Sequence, residues 1–168
     1  MKILFVSSEC APFSKSGGLA DVAFSLPPAL QKTGDELTIV IPMYRVTQEN
    51  YGDQFSLIKT CVIHLGQRQL SCSLYKGELN GVTVYAIGNE HLFHRPRLYG
   101  YGDDSLRFAF FCRAVIDLLP SLDWMPDVLH CNDWQTALVP IYLKDVATRW
   151  PEVRGIRTVF TIHNIEYQ

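Results

Sequence analysis

Several things are missing from this sequence of 168 residues, and each absence removes a class of function. Neither sign of charge dominates: 15 Lys+Arg face 17 Asp+Glu, the formal net charge is −2, and no basic cluster points to nucleic acid. No apolar run approaches the roughly 20 residues of a membrane span. Met1-Lys2 leads directly into a strand-like run rather than a signal peptide, so no membrane partner and a cytoplasmic location are expected. The five cysteines, Cys10, Cys61, Cys72, Cys112 and Cys131, form an odd set without a C-x-x-C pair, which indicates neither a disulfide framework nor a zinc site. Cys61 and Cys72 can face each other across a hairpin, but reduced thiols are the expectation in a cytosolic chain. The dinucleotide fingerprint G-x-G-x-x-G and the P-loop pattern are absent, as are internal repeats and low-complexity linkers. What remains, with 48% hydrophobic residues, is a chain able to bury a sizeable core as one soluble domain.

Its apolar runs alternate in type. Ile3-Leu4-Phe5-Val6 is wholly apolar and reads as a parallel strand over 2–7, buried on both faces. Residues 19–33 read as a helix with Gly34 as its C-cap, and 37–41 as a second strand ended by Pro42. Residues 43–55 are polar, contain Tyr51-Gly52-Asp53, and read as a surface loop. Short alternating runs follow at 56–65, 69–76 and 82–87, and Asn80-Gly81 between the last two is a strong hairpin signal. Residues 88–104 hold five aromatic or histidine side chains and three glycines with no period, in a loop of a length that is often functional. A helix at 105–119 with Pro120 just past its end, a strand at 128–131, a helix at 135–147 and a buried-type strand at 158–162 complete the chain. The alternation predicts an α/β fold, a Rossmann-like doubly wound, mostly parallel sheet with an antiparallel β insertion. Ligands then belong at the carboxyl ends of the strands.

Three polar clusters fall at such ends. Lys15-Ser16-Gly17-Gly18 joins the first strand to its helix without a bulky side chain, so backbone N–H groups can approach an anion while Lys15 adds a mobile charge. The same residues are also ordinary loop chemistry. Asp21 lies about a turn and a half into the helix, as an active-site carboxylate or a partner of the helix dipole. At the second cluster, Asp133 precedes a helix as an N-cap does, and His130 reads as a satisfied core histidine. Trp134 and Gln135 can pack against or hydrogen-bond a polar ligand such as a sugar, and a tryptophan there is also a core residue. The third cluster, His163-Asn164, delivers two polar groups together to the ligand edge. His91 and His94 have no carboxylate or thiolate set at ligand spacing, so no metal is expected.

Lys15-Ser16-Gly17-Gly18-Leu19-Ala20-Asp21-Val22, after Ser8-Glu9-Cys10-Ala11-Pro12, resembles the K-x-G-G-L-A-D-V signature of bacterial glycogen synthases and plant starch synthases. The blocks Leu106-Arg107-Phe108-Ala109-Phe110-Phe111, His130-Cys131-Asn132-Asp133-Trp134-Gln135-Thr136-Ala137-Leu138 and Phe160-Thr161-Ile162-His163-Asn164 resemble later blocks of the same family, in order. The resemblance implies a retaining, metal-independent glycosyltransferase of the two-domain GT-B type, without a cofactor, that moves glucose from ADP-glucose to the non-reducing end of an α-1,4-glucan such as glycogen. By that similarity Lys15 contacts the donor phosphate, and Gly17 and Gly18 offer N–H groups to the diphosphate. Asp21 and Asp133 line the glucose and acceptor pocket. His163, largely through its main-chain carbonyl, stabilises the oxocarbenium-like transition state with Asn164 beside it. Gln135 stands where many members have histidine, and His94 precedes Arg95-Pro96 where aspartate is usual, so acceptor-side contacts differ.

The resemblance further implies that residues 1–168 are the N-terminal, acceptor-side domain, truncated, with the C-terminal nucleotide-binding domain absent. Such a fragment is expected to be inactive alone and to self-associate through the strand at 158–162. The competing expectation is a non-catalytic glucan-binding or interaction module of the same fold. A free-standing Rossmann-type nucleotide binder is disfavoured by the missing G-x-G-x-x-G.

Overall fold

A computed structural model describes residues 1–165. Seven strands form one sheet: β1 (Lys2–Val6), β2 (Glu36–Pro42), β3 (Ser56–Leu65), β4 (Arg68–Leu79), β5 (Val82–Gly88), β6 (Val128–Asn132) and β7 (Arg157–Thr161). Their order is β3-β4-β5-β2-β1-β6-β7. The five strands from β5 to β7 in that order run parallel, and β4 pairs antiparallel with both β3 and β5. The expected doubly wound sheet with an antiparallel insertion is therefore present. The inserted hairpin is β3–β4, while β5 returns to the parallel ladder. Asn80 and Gly81 turn β4 into β5 with φ of +51° and +80°, the left-handed pair that a tight hairpin needs.

The all-apolar runs are explained by two cores. Ile3, Phe5, Ile39 and Ile41 pack with Ala23 on the side of α1 (Leu19–Gln31). Their alternates Leu4, Val6 and Val40 join Phe110, Phe111 and Ala114 of α4 (Asp104–Asp117, preceded in the chain by two shorter helices given below) and Val139 and Leu143 of α5 (Val139–Val146). A strand covered on both faces has no polar positions to alternate with. β1 also sits where chain order reverses, with β2 on one side and β6 on the other. Ligands collect at the crevice beyond such a switch point.

Two expectations are corrected. The polar stretch 43–55 is no surface loop. It contains α2 (Arg45–Tyr51) and a 3-10 turn at Gly52–Gln54, anchored by buried Met43, Tyr44, Thr47 and Phe55. Thr47 is the one fully buried position of the short helix, its hydroxyl donating to Phe13 O at 3.1 Å, and Tyr51 packs half-buried against Phe13, so hydrophobic periodicity had little to display. The helix expected over 135–147 is a 3-10 turn at Trp134–Thr136 followed by α5, with Pro140 in the first turn of α5, where its missing N–H costs nothing. β7 is apolar yet uncovered, as expected of the strand at 158–162: among the described residues it pairs only with β6, and Val159 and Phe160 are 47% and 42% exposed. Residues 88–104 include the short helix α3 (Glu90–Phe93), started by Asn89, whose side chain accepts from Leu92 N at 2.9 Å.

His130 is the satisfied core histidine that the sequence suggested. Its Nε2 lies 2.8 Å from Thr161 Oγ1, and its ring meets Phe5 edge-on at 4.9 Å. Burial pulls its pKa below the ordinary histidine value, and nearby His163 acts in the same direction. The folded state thus binds this proton less readily than the unfolded chain does. The resulting stability is present in full above about pH 6.5 and is lost as pH falls through the lower folded value. Thermal melts should show Tm falling between pH 7 and pH 5, with a smaller fall in His130→Gln; identical pH profiles would contradict this.

Candidate functional site

A cavity of about 770 Å³ opens beyond the carboxyl ends of β1 and β6. Four chain segments line it as three walls, and each wall is held by a different buried polar group.

The first wall is the turn after β1. Cys10 and Ser14 exchange backbone hydrogen bonds, N to O at 3.1 Å and 2.9 Å, which closes a tight loop before Lys15. Glu9, only 1% exposed, turns its carboxylate back onto this turn and accepts from Ser16 N, Gly17 N (3.2 Å) and Ser16 Oγ (2.7 Å). The backbone N–H groups that look from sequence like an anion cradle are thus partly occupied by the chain's own carboxylate. Gly17 and Gly18 leave open space where a Cβ would stand, so a ligand can still approach the backbone at the start of α1. Lys15 and Asp21 do not line the cavity. They pair with each other at 2.6 Å and 2.8 Å, both about half exposed.

The second wall leaves β6. Asn132 is fully buried and gives its amide protons to Val6 O and His130 O, both at 3.1 Å. Its Oδ1 then faces His163 Nε2 at 2.9 Å, and because an amide oxygen only accepts, that ring nitrogen carries the proton. Asp133 adopts φ +58° and ψ 177°, a region nearly reserved for glycine. It is not a side-chain N-cap. Its carboxylate reaches instead across to the segment after β7 and accepts from His163 N at 2.6 Å and Asn164 N at 3.3 Å. Trp134 packs edge-on against Phe108 at 5.1 Å while lining the cavity, so both readings of this tryptophan hold.

The third wall is the 94–104 loop, and Arg107 holds it. This arginine is fully buried, donates to Leu92 O (2.6 Å), Leu98 O (2.8 Å) and Asp104 Oδ1, and lies over the Tyr101 ring at 4.9 Å. Asp104 in turn accepts from Gly100 N at 2.6 Å and Tyr101 N at 3.1 Å. Arg95 forms a two-pronged pair with Asp103, both contacts at 2.7 Å. Tyr99 then reaches Ser16 through its hydroxyl, which joins the third wall to the first.

Of the sequence-proposed residues, Gly17, Gly18, Asp133, Trp134, Gln135, His163 and Asn164 meet at the cavity, whereas Lys15 and Asp21 stand outside its lining. Sequence reasoning missed Glu9, Tyr99, Asp104 and Arg107. Glu9 carried a readable signal, being a charged residue just past a buried strand. Among the described residues no group of His, Cys, Asp and Glu is placed to hold a metal ion, and no helix is long and apolar enough to cross a membrane. All five cysteines are free; Cys61 and Cys72 are register partners, and burial pushes the Cys10 and Cys112 thiols up to about 12.

The lining is chemically one-sided. Among the described residues it carries three carboxylates (Glu9, Asp104, Asp133), the rings of Tyr99 and Trp134, and no lysine or arginine. Such a surface suits a neutral, hydroxyl-rich ligand with apolar ring faces better than a polyanion.

Residues 2–168 match the family model described as the starch synthase catalytic domain. Among curated relatives, a glycogen synthase of Anoxybacillus flavithermus is 43% identical and one of Bacillus cereus 46% identical, each across 100% of this chain and 35% of the relative. Among solved structures, the catalytic domain of Starch Synthase IV from Arabidopsis thaliana, bound to ADP and acarbose, is similar with a TM-score of 0.86 and 32% identity. That similarity covers 99% of this chain and 34% of the other. The chain therefore spans about a third of the length of these relatives.

Replacing Arg107 by Met roughly keeps the volume but removes the partner of Asp104 Oδ1, of the buried Leu92 O and of the half-buried Leu98 O. Urea unfolding should show a loss of about 3–5 kcal/mol, as for other broken buried pairs; a change below about 1 kcal/mol would mean that the loop does not depend on this arginine.

Proposed function

The chain belongs to the starch synthase catalytic domain family, and from that premise we propose that its cavity is the sugar-binding wall of a glycosyltransferase that moves glucose from ADP-glucose to the non-reducing end of an α-1,4-glucan. The observation that carries this reading is the lining itself: carboxylates that accept from hydroxyls, two aromatic rings for sugar faces, and no cation for a phosphate. The glucosyl unit and the acceptor end therefore occupy the cavity. The diphosphate lies at its rim, against Gly17, Gly18 and the first turn of α1, with Lys15 swinging from Asp21 to meet it.

Within this reading His163 is the residue nearest the chemistry. Its N–H is held by Asp133 and its ring by Asn132, so its main-chain carbonyl is a fixed dipole that needs no reorganisation when positive charge develops on the transferred sugar. Asn164 stands beside it. Asp133 acts by positioning these two residues, and Asp21 by storing Lys15. The remaining grip on the nucleotide comes from parts of the relatives' length that this chain does not span, so we assign it negligible turnover by itself. Five free thiols fit a reducing compartment, hence the cytoplasm. The exposed apolar residues of β7 support self-association of the chain through that edge.

Fusion to the remaining two-thirds of the Bacillus cereus relative tests the proposal. The fusion should transfer glucose from ADP-glucose to glycogen and lose at least about a hundredfold in rate on Lys15→Ala. A fusion that is folded and monodisperse yet binds glycogen without transfer would instead make the chain a binding module. Sedimentation of the unfused chain should show species larger than a monomer as concentration rises.

A further inference from the structure

Cys61 and Cys72 stand directly opposite each other in the antiparallel β3–β4 ladder, with β5 and β2 between this hairpin and the cavity at β1 and β6. Leu65 and Arg68 close the hairpin across two residues, with Gly66 at φ +60°, so the turn pins the register and holds both cysteines on one face of the sheet. Opposed residues of an antiparallel pair have Cα atoms about 4.5–5.5 Å apart. A disulfide spans roughly 4.4–6.8 Å between the same atoms. Closing the bond still requires a small approach of the side chains, and β3 can supply it. The strand has a register shift between Leu57 and Lys59 and, among the described residues, no further strand on its outer side.

The two thiols differ in access. Cys61 is half-buried on the edge strand, whereas Cys72 is 2% exposed within the core that α4 completes. Burial, and then the neighbouring Cys61, push the Cys72 thiol well above its ordinary pKa, and that influence places the two sulfur atoms within reach of each other. Cys10, Cys112 and Cys131 are at most 1% exposed, closed to a dissolved oxidant.

We propose that Cys61 and Cys72 form a dithiol oxidation site, closed to a cross-strand disulfide by a low-molecular-weight disulfide such as oxidised glutathione. The Cys61 thiolate attacks one sulfur of the oxidant, whose S–S bond breaks, and one glutathione leaves as its thiolate. Cys72 then gives its proton to water, its sulfur attacks Cys61 Sγ, and the second glutathione leaves. Two protein thiols are oxidised to one disulfide, and one glutathione disulfide is reduced to two thiols. The order follows from access: Cys61 meets the dissolved oxidant, and Cys72, slow to ionise, meets a sulfur already held beside it. Reducing conditions return both to thiols, the pattern of a transient disulfide in a cytosolic chain. The closed bond ties the outermost strand to its neighbour across the face that packs on α4.

The test incubates the reduced, folded chain in mixtures of reduced and oxidised glutathione, quenches it with acid, alkylates the remaining thiols and maps the peptides by mass spectrometry. Wild type should lose two of its five free thiols and yield one cross-linked peptide pair holding Cys61 and Cys72, which dithiothreitol reverses. Cys72→Ala should stop at the first step with one glutathione on Cys61, whereas Cys61→Ala should keep every remaining thiol. Wild type decides the question by itself should either variant fail to fold. Retention of all five thiols as oxidised glutathione comes to dominate the mixture overturns the proposal, as does a cross-link through any other cysteine or a first glutathione on Cys72.

Discussion

The carboxylate of Asp133, held in a backbone conformation that L-residues rarely adopt, is the constraint on which the site depends. At φ +58° the chain leaves β6 at an angle that sends this side chain sideways to the segment after β7 rather than forward along its own turn. Such a conformation costs on the order of 1–3 kcal/mol. It persists because it is over-determined: Asp133 N donates to Thr161 O at 2.9 Å, Thr136 closes onto the preceding carbonyls, and two N–H groups converge on Oδ1. Without it the N–H groups of His163 and Asn164 would lose the carboxylate oxygen that they share. The same residue thus stores strain and spends it on orienting a polar pair.

Glu9 plays the corresponding part on the opposite wall. Its burial answers why a glycine-containing turn with open backbone does not collapse: the chain supplies an internal anion that ties Ser16 and Gly17 down. Glu9, Asp104 and Asp133 each hold internal donors, and only Asp104 meets a cation, so the cavity is rich in carboxylates that keep part of their accepting capacity. A second anion gains little there. A sugar, which offers hydroxyl donors to lone pairs still open on these carboxylates, gains more.

Much of this was legible before any coordinates. Consecutive apolar residues in Ile3-Leu4-Phe5-Val6 follow from a strand buried on both sides, and Asn80-Gly81 follows from the φ values that its turn demands. The gathering of the Gly17, Asp133 and His163 segments follows from the rule that parallel strands carry ligands at their carboxyl ends. Lys15 and Asp21 were placed by residue type and by the signature that they share. Their charges suit a phosphate and a substrate equally well on paper, and only geometry shows each satisfying the other. Arg107 lay hidden because a basic residue within an apolar helix ordinarily reads as a solvent-facing position. Its partners, Leu92 O and Leu98 O, belong to a loop whose path no periodicity predicts.

The central claim is that this cavity recognises sugar hydroxyls and that the diphosphate stays at its rim. Backbone amide NMR titrations with maltotriose and, separately, with inorganic pyrophosphate test it most directly. The account predicts that maltotriose shifts the amides of Asp133, Gln135 and His163 in a saturable way, while pyrophosphate acts more weakly and only near Gly18 and Leu19. Saturable perturbation of Asp133 and His163 by pyrophosphate, with no response to maltotriose, would contradict it.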